Sequence, residues 1–308
     1  MVNPNKNLDK VFYEALQSDS FSLNSHRIRK YIGQIVKADT DTTLADYCAR
    51  AHYLKNRAWV WIDRHGVTSQ ADTLLACLQG LDDMGFSLKK FRVPQIERDL
   101  QRMRTLEFDT VSHDINRVMA RLEYNLTKAY LRYTMGQRFG FMNPHFVFNR
   151  LDTDVDTKGN SIYQKLFDIP MDLPNKEFAE TVMRKVGADS VGPLLRDVQP
   201  HDALYDRLQK MLASGDLQGA SRAVVLCNME RSRWRYKHKI NKQKKYVMVN
   251  VPSYHLSAVD GDSVLSMRVV CGTFQTKTPL LTSQIKRMDI NPQWIIPQSI
   301  VDRDIARH

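Results

Sequence analysis

Four cysteines and nine histidines are the residues with which this 308-residue chain could do nucleophilic or metal chemistry. A nucleophilic cysteine needs access to substrate, and a base, a helix N-terminus or positive charge to hold its thiolate. Cys48 falls inside an amphipathic stretch over 44–54, and Cys77 sits within the apolar repeat of Leu74, Leu78 and Leu81. Cys227 lies in another helical pattern, and Cys271 in a run of alternating, strand-like residues. Each therefore reads as a small buried hydrophobe. No Cys-x-x-Cys pair, His-Glu-x-x-His or His/Cys cluster at zinc spacing occurs, and no glycine-rich phosphate loop is present. His65, in Trp59-Val60-Trp61-Ile62-Asp63-Arg64-His65-Gly66, is the most suggestive histidine, and a structural turn explains it equally well.

Two further patterns bear on ligands. Asp152-x-Asp154-x-Asp156 opens like a calcium loop, but Thr157 stands where that loop needs glycine and Tyr163 where it needs a bidentate glutamate. An acidic surface turn is the expected reading, and no metal or cofactor is expected. The net charge of +11 invites a polyanion. Eight of those charges fall between Arg231 and Lys245 with no acid among them, which leaves +3 for the rest of the chain. Trp234 and Tyr236 within that run could stack on bases while its cations grip phosphates. With no nucleic-acid-binding motif elsewhere, the expected reading is a solvated helix end leading into a strand, and nucleic acid is not an expected partner.

The elements that must carry these residues divide the chain. Ala71, Leu74, Leu75, Leu78 and Leu81 recur at helical spacing, and Gly85 is placed to close that helix over 69–85. A longer helix is expected over 112–136, with Ile115, Val118, Met119, Leu122, Leu126, Ala129 and Tyr133 as its apolar stripe. Further helices are expected near 44–54, 96–106, 204–212 and 217–230, the last with Ala220, Val224 and Cys227 on one side. Segments 142–150, 151–160 and 168–175 read as loops. After Lys245 the period changes to two: Val247, Val249 and Val251 alternate with Tyr246, Met248 and Asn250. Asp260-Gly261 marks a hairpin, a strand follows over 264–271, and a third strand-like segment precedes Asn291-Pro292. The class is α+β, mostly helical and then β-rich, and so few strands rarely stand alone. A mean hydropathy of −0.44 and the lack of any long apolar run exclude a membrane-spanning helix. Met1-Val2-Asn3-Pro4-Asn5-Lys6 shows no apolar core of a signal peptide, so none is expected in this chain.

Several segments carry a family resemblance. Tyr246-Val247-Met248-Val249-Asn250-Val251-Pro252-Ser253-Tyr254-His255-Leu256 resembles the first strand of the L,D-transpeptidase catalytic domain. Met267-Arg268-Val269-Val270-Cys271-Gly272 with Thr276-Lys277-Thr278-Pro279 is similar to the family's next strand and Thr-Pro turn. Asn291-Pro292-Gln293-Trp294-Ile295-Ile296-Pro297-Gln298-Ser299-Ile300 resembles its N-P-x-W-x-x-P-x-S-I signature. Upstream, Asn228-Met229-Glu230-Arg231-Ser232-Arg233-Trp234 is similar to the lead-in helix of the large murein transpeptidases, and the earlier helices resemble their scaffold domain. The resemblance implies an N-terminal segment over 1–42, a helical scaffold domain over 43–235 and the first part of a catalytic domain over 236–308.

The same resemblance implies a chemistry: a cysteine thiolate attacks a stem tetrapeptide, releases D-alanine, and passes the acyl group to a neighbouring stem in a 3→3 cross-link. In the family the histidine and the Ser-x-Gly-Cys nucleophile follow N-P-x-W-x-x-P-x-S-I, and no Ser-x-Gly-Cys occurs in this sequence. No catalytic residue is carried over, and neither His255 nor His308 has motif support. The expectation is an N-terminal portion of a periplasmic, cell-envelope enzyme that is inactive alone. Its expected partners are peptidoglycan stem peptides and cell-wall synthesis enzymes. A non-catalytic scaffold docking on peptidoglycan or a partner enzyme, and a polyanion-binding module, are the alternatives. Val251, Leu265 and their neighbours are expected to be partly exposed.

Overall fold

The computed structural model describes residues 23–302 except 56, 64, 65, 110, 152, 156, 157, 160, 164, 238–243, 275, 294, 299 and 300. Among the described residues ten α-helices precede the main sheet: α1 (Ser25–Ala38), α2 (Leu44–Leu54), α3 (Gln70–Gln79), α4 (Val93–Thr105), α5 (Ile115–Phe139), α6 (Pro144–Asn149), α7 (Lys176–Gly187), α8 (Val191–Asp197), α9 (Ala203–Ser214) and α10 (Arg222–Arg233). The organising element is α5, 25 residues long, which packs on α1, α2, α3, α4, α7 and α10. Its predicted apolar stripe is buried throughout, but so are Glu123, Thr127, Lys128, Thr134 and Gln137 on its other faces. A helix enclosed on all sides must bring partners for its polar groups, because an unpaired buried charge is costly.

Glu123 finds its partners in the segment that resembles the family around Trp59. Its two oxygens accept from the backbone N–H groups of Val60 (2.5 Å), Trp61 (2.9 Å) and Ile62 (3.1 Å) and from the Tyr53 hydroxyl (2.8 Å). Burial pushes this carboxyl up to about 7 while those donors pull the other way. They fix the start of a small hairpin, β1 (Ile62–Asp63) and β2 (Gly66–Val67). One turn further along, Lys128 donates to both oxygens of Asp39 (2.7 Å each) and to Asp41 (2.6 Å). Arg132 forks onto Asp46 at 2.7 and 3.0 Å, and Asp46 also completes the capping box with Thr43 that starts α2.

Several elements depart from expectation. Helix α3 ends at Gly80, ahead of Asp82 and Asp83 that oppose the helix dipole; turns carry the chain on to Gly85, whose φ of 79° closes them. Segment 142–150 contains α6, started by the Asn143 cap with Pro144 behind it. Segment 151–160 contributes to an antiparallel pair, β3 (Thr153–Val155) with β4 (Ser161–Tyr163). The expected loop over 168–175 is bounded by β5 (Phe167–Asp168) and holds β6 (Met171–Asp172). Helices α1, α7 and α8 were not anticipated; Ile28, Ile32 and Val36 of α1 join the main core.

A second, smaller core gathers Tyr205, Leu208 and Leu212 of α9 with Val225 and Met229 of α10. The last helix starts at Arg222 rather than 217, because Gln218 and Gly219 both take positive φ and Ser221 then caps it. Its buried face is Val225, Met229 and Arg233 at four-residue spacing, so Val224 and Cys227 of the expected side are exposed, while Ala220, ahead of the helix, packs against this second core.

Beyond it, β7 (Arg235–Tyr236) pairs with β6, and β8 (Lys245–Asn250), β9 (His255–Asp260) and β10 (Ser263–Arg268) form an antiparallel meander in the order β10-β9-β8. The β9–β10 turn is two residues, with Gly261 supplying the positive φ. The strand expected over 264–271 stops at Arg268. The strand-like segment expected ahead of Asn291-Pro292 is the short β11 (Leu280–Leu281), which pairs in parallel with β5 of the helical part and not with the meander.

Candidate functional site

The meander is where family-like motifs concentrate, and its geometry explains several of them. Between β8 and β9 the Val251-Pro252-Ser253 turn is a 3-10 piece ended by Tyr254 at φ 55°, whose carbonyl accepts from Val269 N–H at 2.9 Å. That turn lets Asn250 and His255 face each other in register. The His255 ring nitrogen Nδ1 lies 2.8 Å from the Ser253 carbonyl, a local contact with no cysteine involved. Gly272 must be glycine, because a Cβ there would run into the carbonyl of Thr276; its N–H donates to the Thr278 hydroxyl at 2.8 Å. The glycine and the Thr-Lys-Thr-Pro stretch are thus one folded turn.

Both faces of the sheet are open. Val247, Met248 and Val249 are 45–49 % exposed, and Val264 and Leu265 about 60 %. Neither core cluster includes a residue of β8, β9 or β10. This matches the exposure expected around Val251 and Leu265.

The lead-in helix is built differently. Arg233 is 1 % exposed, although its place in the basic run predicted solvation. Its guanidinium lies 5.2–5.4 Å from the rings of Phe86, Phe141 and Tyr205 and donates to Gln137 Oε1 (2.9 Å) and the Tyr205 hydroxyl (3.0 Å). Aromatic faces, neutral acceptors and the Glu230 carboxylate at 3.4 Å stabilise a cation that water has left, as the weakly hydrated guanidinium allows. Glu230 Oε1 accepts from Met142 N–H (2.7 Å) and from Trp234 Nε1 (3.2 Å). Gly140, at φ 92°, leaves the room that the Trp234 ring occupies. The Glu-Arg-x-Arg-Trp pattern is therefore a joint between α10 and the end of α5, at the point where the chain turns into β7 and the sheet.

The comparisons with known proteins divide the chain at this joint. A family model for the scaffold domain matches residues 48–212, more than half of the chain, and one for the L,D-transpeptidase catalytic domain matches residues 244–307. The chain belongs to the scaffold-bearing L,D-transpeptidase family. Its α+β class follows, helices in the scaffold match and the meander in the catalytic match. A Haemophilus influenzae protein described as "Putative L,D-transpeptidase" is 37 % identical over 60 residues, 19 % of this chain and 12 % of that protein. The chain thus aligns with about an eighth of that relative's length. No solved structure matches.

In this chain the candidate residues do not converge. Cys48 is buried, and burial pushes its thiol up; burial does the same to Cys77, against a hydrogen bond from Tyr133. Cys271 is half-buried just after β10, its Sγ 3.8 Å from the Val251 carbonyl, and Cys227 stands exposed on α10. No cluster of three or more His, Cys, Asp or Glu suited to a metal occurs among the described residues, nor any helix long and apolar enough to cross a membrane. His65, Asp152, Asp156, Thr157, Lys239, Lys242, Trp294, Ser299, Ile300 and His308 lie outside the described residues. Sequence reasoning missed Glu123, Lys128 and Arg233 as structural centres, since a charge on a helix gives no sign of what will surround it.

Proposed function

We propose that these residues form the scaffold and the opening strands of a peptidoglycan L,D-transpeptidase of the cell envelope. That enzyme joins stem peptides 3→3 through a cysteine acyl-enzyme. The supporting observation is the order along the chain: the Glu230–Arg233–Trp234 joint ends the helical part, and it is followed by a meander that carries the catalytic-domain motifs and leaves both faces open. A thiolate nucleophile needs a base or positive field, and Cys48 and Cys77 have burial instead. None of the four cysteines is assigned that role, and the nucleophile is placed outside these 308 residues. Intact mass after incubation with a carbapenem tests this placement. The unmodified mass is expected, and a stoichiometric adduct on any of the four cysteines overturns it. Muropeptide analysis of a strain lacking the gene tests the reaction, with loss of 3→3 dimers expected.

A non-catalytic scaffold that docks on peptidoglycan or on a wall-synthesis enzyme is the second reading, favoured by the same scattered cysteines. Sedimentation with isolated sacculi separates the two when read beside the muropeptide profile: a normal profile with strong co-sedimentation supports the scaffold.

A further inference from the structure

The chain passes through β7 before the meander and β11 after it, and both pair with one stretch of the helical part, 166–172. On the entry side Tyr236 lies opposite Met171 and Arg235 opposite Asp172, and Lys237 N–H donates to the Pro170 carbonyl at 2.9 Å. On the exit side Leu280 lies opposite Phe167 and Leu281 opposite Asp168, and Leu280 N–H donates to the Leu166 carbonyl at 2.7 Å. The same short stretch therefore holds the chain on both sides of the sheet.

The place that β11 takes is built by α6. Asn149 accepts from Phe167 N–H at 2.8 Å and donates to the Phe167 carbonyl at 3.1 Å. Its amide stands in for a strand on one edge of β5 and leaves the Leu166 carbonyl, on the other edge, to β11. Phe148 stacks on the Phe167 ring, centroids 5.0 Å and planes 6° apart, and meets the Trp234 ring steeply at 5.8 Å. One short helix thus touches both the exit at β5 and the entry at Trp234.

The two attachments are unequal. The entry adds to its ladder the Arg138–Asp172 ion pair at 3.0 Å, the bond from Arg235 Nε to the Arg138 carbonyl at 3.1 Å, and the Glu230–Trp234 contact. The exit has two paired residues, of which Leu281 is 57 % exposed, and Met288 and Ile290 beyond it are almost wholly exposed. A short, uncovered parallel pair is a weak ladder and opens readily. The turn ahead of β11 is tied to the sheet side instead, where Gly272 N–H donates to the Thr278 hydroxyl and Val269 N–H to the Tyr254 carbonyl.

We propose that β11 is a releasable strap on β5, and that the chain at Trp234 and β7 is the hinge about which the meander turns when the strap lets go. With β11 in place the sheet is held to the helical part at both ends; with β11 free it is held at one. The device does not depend on the cross-linking chemistry, so the 3→3 proposal and the strap fail or survive separately.

Hydrogen exchange of the 308-residue protein, resolved to single amides, tests the strap. Lys237 and Leu280 donate to carbonyls of the same stretch, yet Leu280 is expected to exchange at least about tenfold faster after correction for intrinsic rates, and more slowly than Ile290. Asn149→Ala should speed Leu280 further, by about tenfold, and leave Lys237 unchanged. Spin labels test the hinge, one on the exposed native Cys227 and one on Asp262→Cys in the β9–β10 turn, with Cys77→Ala and Cys271→Ala. Leu280→Pro removes the strap's donor at a residue outside both cores, so the helical part keeps its fold. One label distance should dominate without it, and Leu280→Pro should move most of the population to another. Exchange of Leu280 in step with Lys237, exchange as fast as at Ile290, an equal rise at both amides in Asn149→Ala, or a distance distribution unchanged by Leu280→Pro overturns the proposal.

Discussion

At the residue scale, a few buried charges are each surrounded by partners, backbone N–H groups for Glu123 and side chains for Arg233. Glu123 receives four donors on two oxygens, two apiece. Glu123→Gln keeps the shape but turns an NH2 toward two of them. A loss of about 2 kcal/mol is expected in urea denaturation. Arg233 is held by three rings and two neutral acceptors. Arg233→Met removes the cation that faces Glu230, a carboxylate that burial already pushes up, and about 3 kcal/mol should be lost. Arg233→Lys should rescue little, because an ammonium cannot lie flat among three rings and fork to two oxygens.

At the scale of elements, the helices and the meander differ in what encloses them. Helix α5 is covered by six others, whereas β8–β10 contribute nothing to either core. Amide exchange in the meander is therefore expected to outpace that in α5 by orders of magnitude, with proteases cutting beyond Lys245 first. Equal protection would show that the sheet has a cover of its own. The crossing of α5 past Phe141 sets a steric limit: Gly136→Ala should cost about 1–3 kcal/mol, measured as a lowered Tm. These differences were partly legible in sequence. The period-two run predicted strands and the family resemblance their exposure, as part of an incomplete sheet, while the turn of α10 that hides Arg233 depended on where Ser221 started the helix.

At the scale of the whole molecule, two buried clusters give the stability opposite responses to pH. Burial raises the Asp39 carboxyl, but hydrogen bonds from Lys128 and Tyr124 outweigh it and hold the group at about 2. A depressed pKa contributes stability that is present above about 4 and disappears as pH falls toward 2. Asp41, hydrogen-bonded to the same amine, shifts in the same direction. Glu123 is raised to about 7, so its contribution is complete below about 4.5 and fades as pH rises through 7. The urea midpoint should therefore peak at about pH 4–4.5, falling toward 2 on the acid side and toward about 7 on the other. Asp39→Asn should flatten the acid arm and Glu123→Gln the alkaline one. A midpoint independent of pH in both arms would show that neither cluster titrates with folding.

The sequence by itself determined the α+β division, the apolar stripe of α5 and the family, because periodicity and short motifs are local properties of the chain. It also showed that no Ser-x-Gly-Cys lies within these residues. Tertiary structure alone decided that α5 is enclosed on every side, that Cys227 points outward while Arg233 is buried, and that Glu230 and Trp234 form a joint. It alone paired β7 and β11 with one stretch of the helical part. The reason is that burial belongs to the neighbours a residue meets, and those neighbours can lie far along the chain, 96 positions away for Arg233 and Gln137.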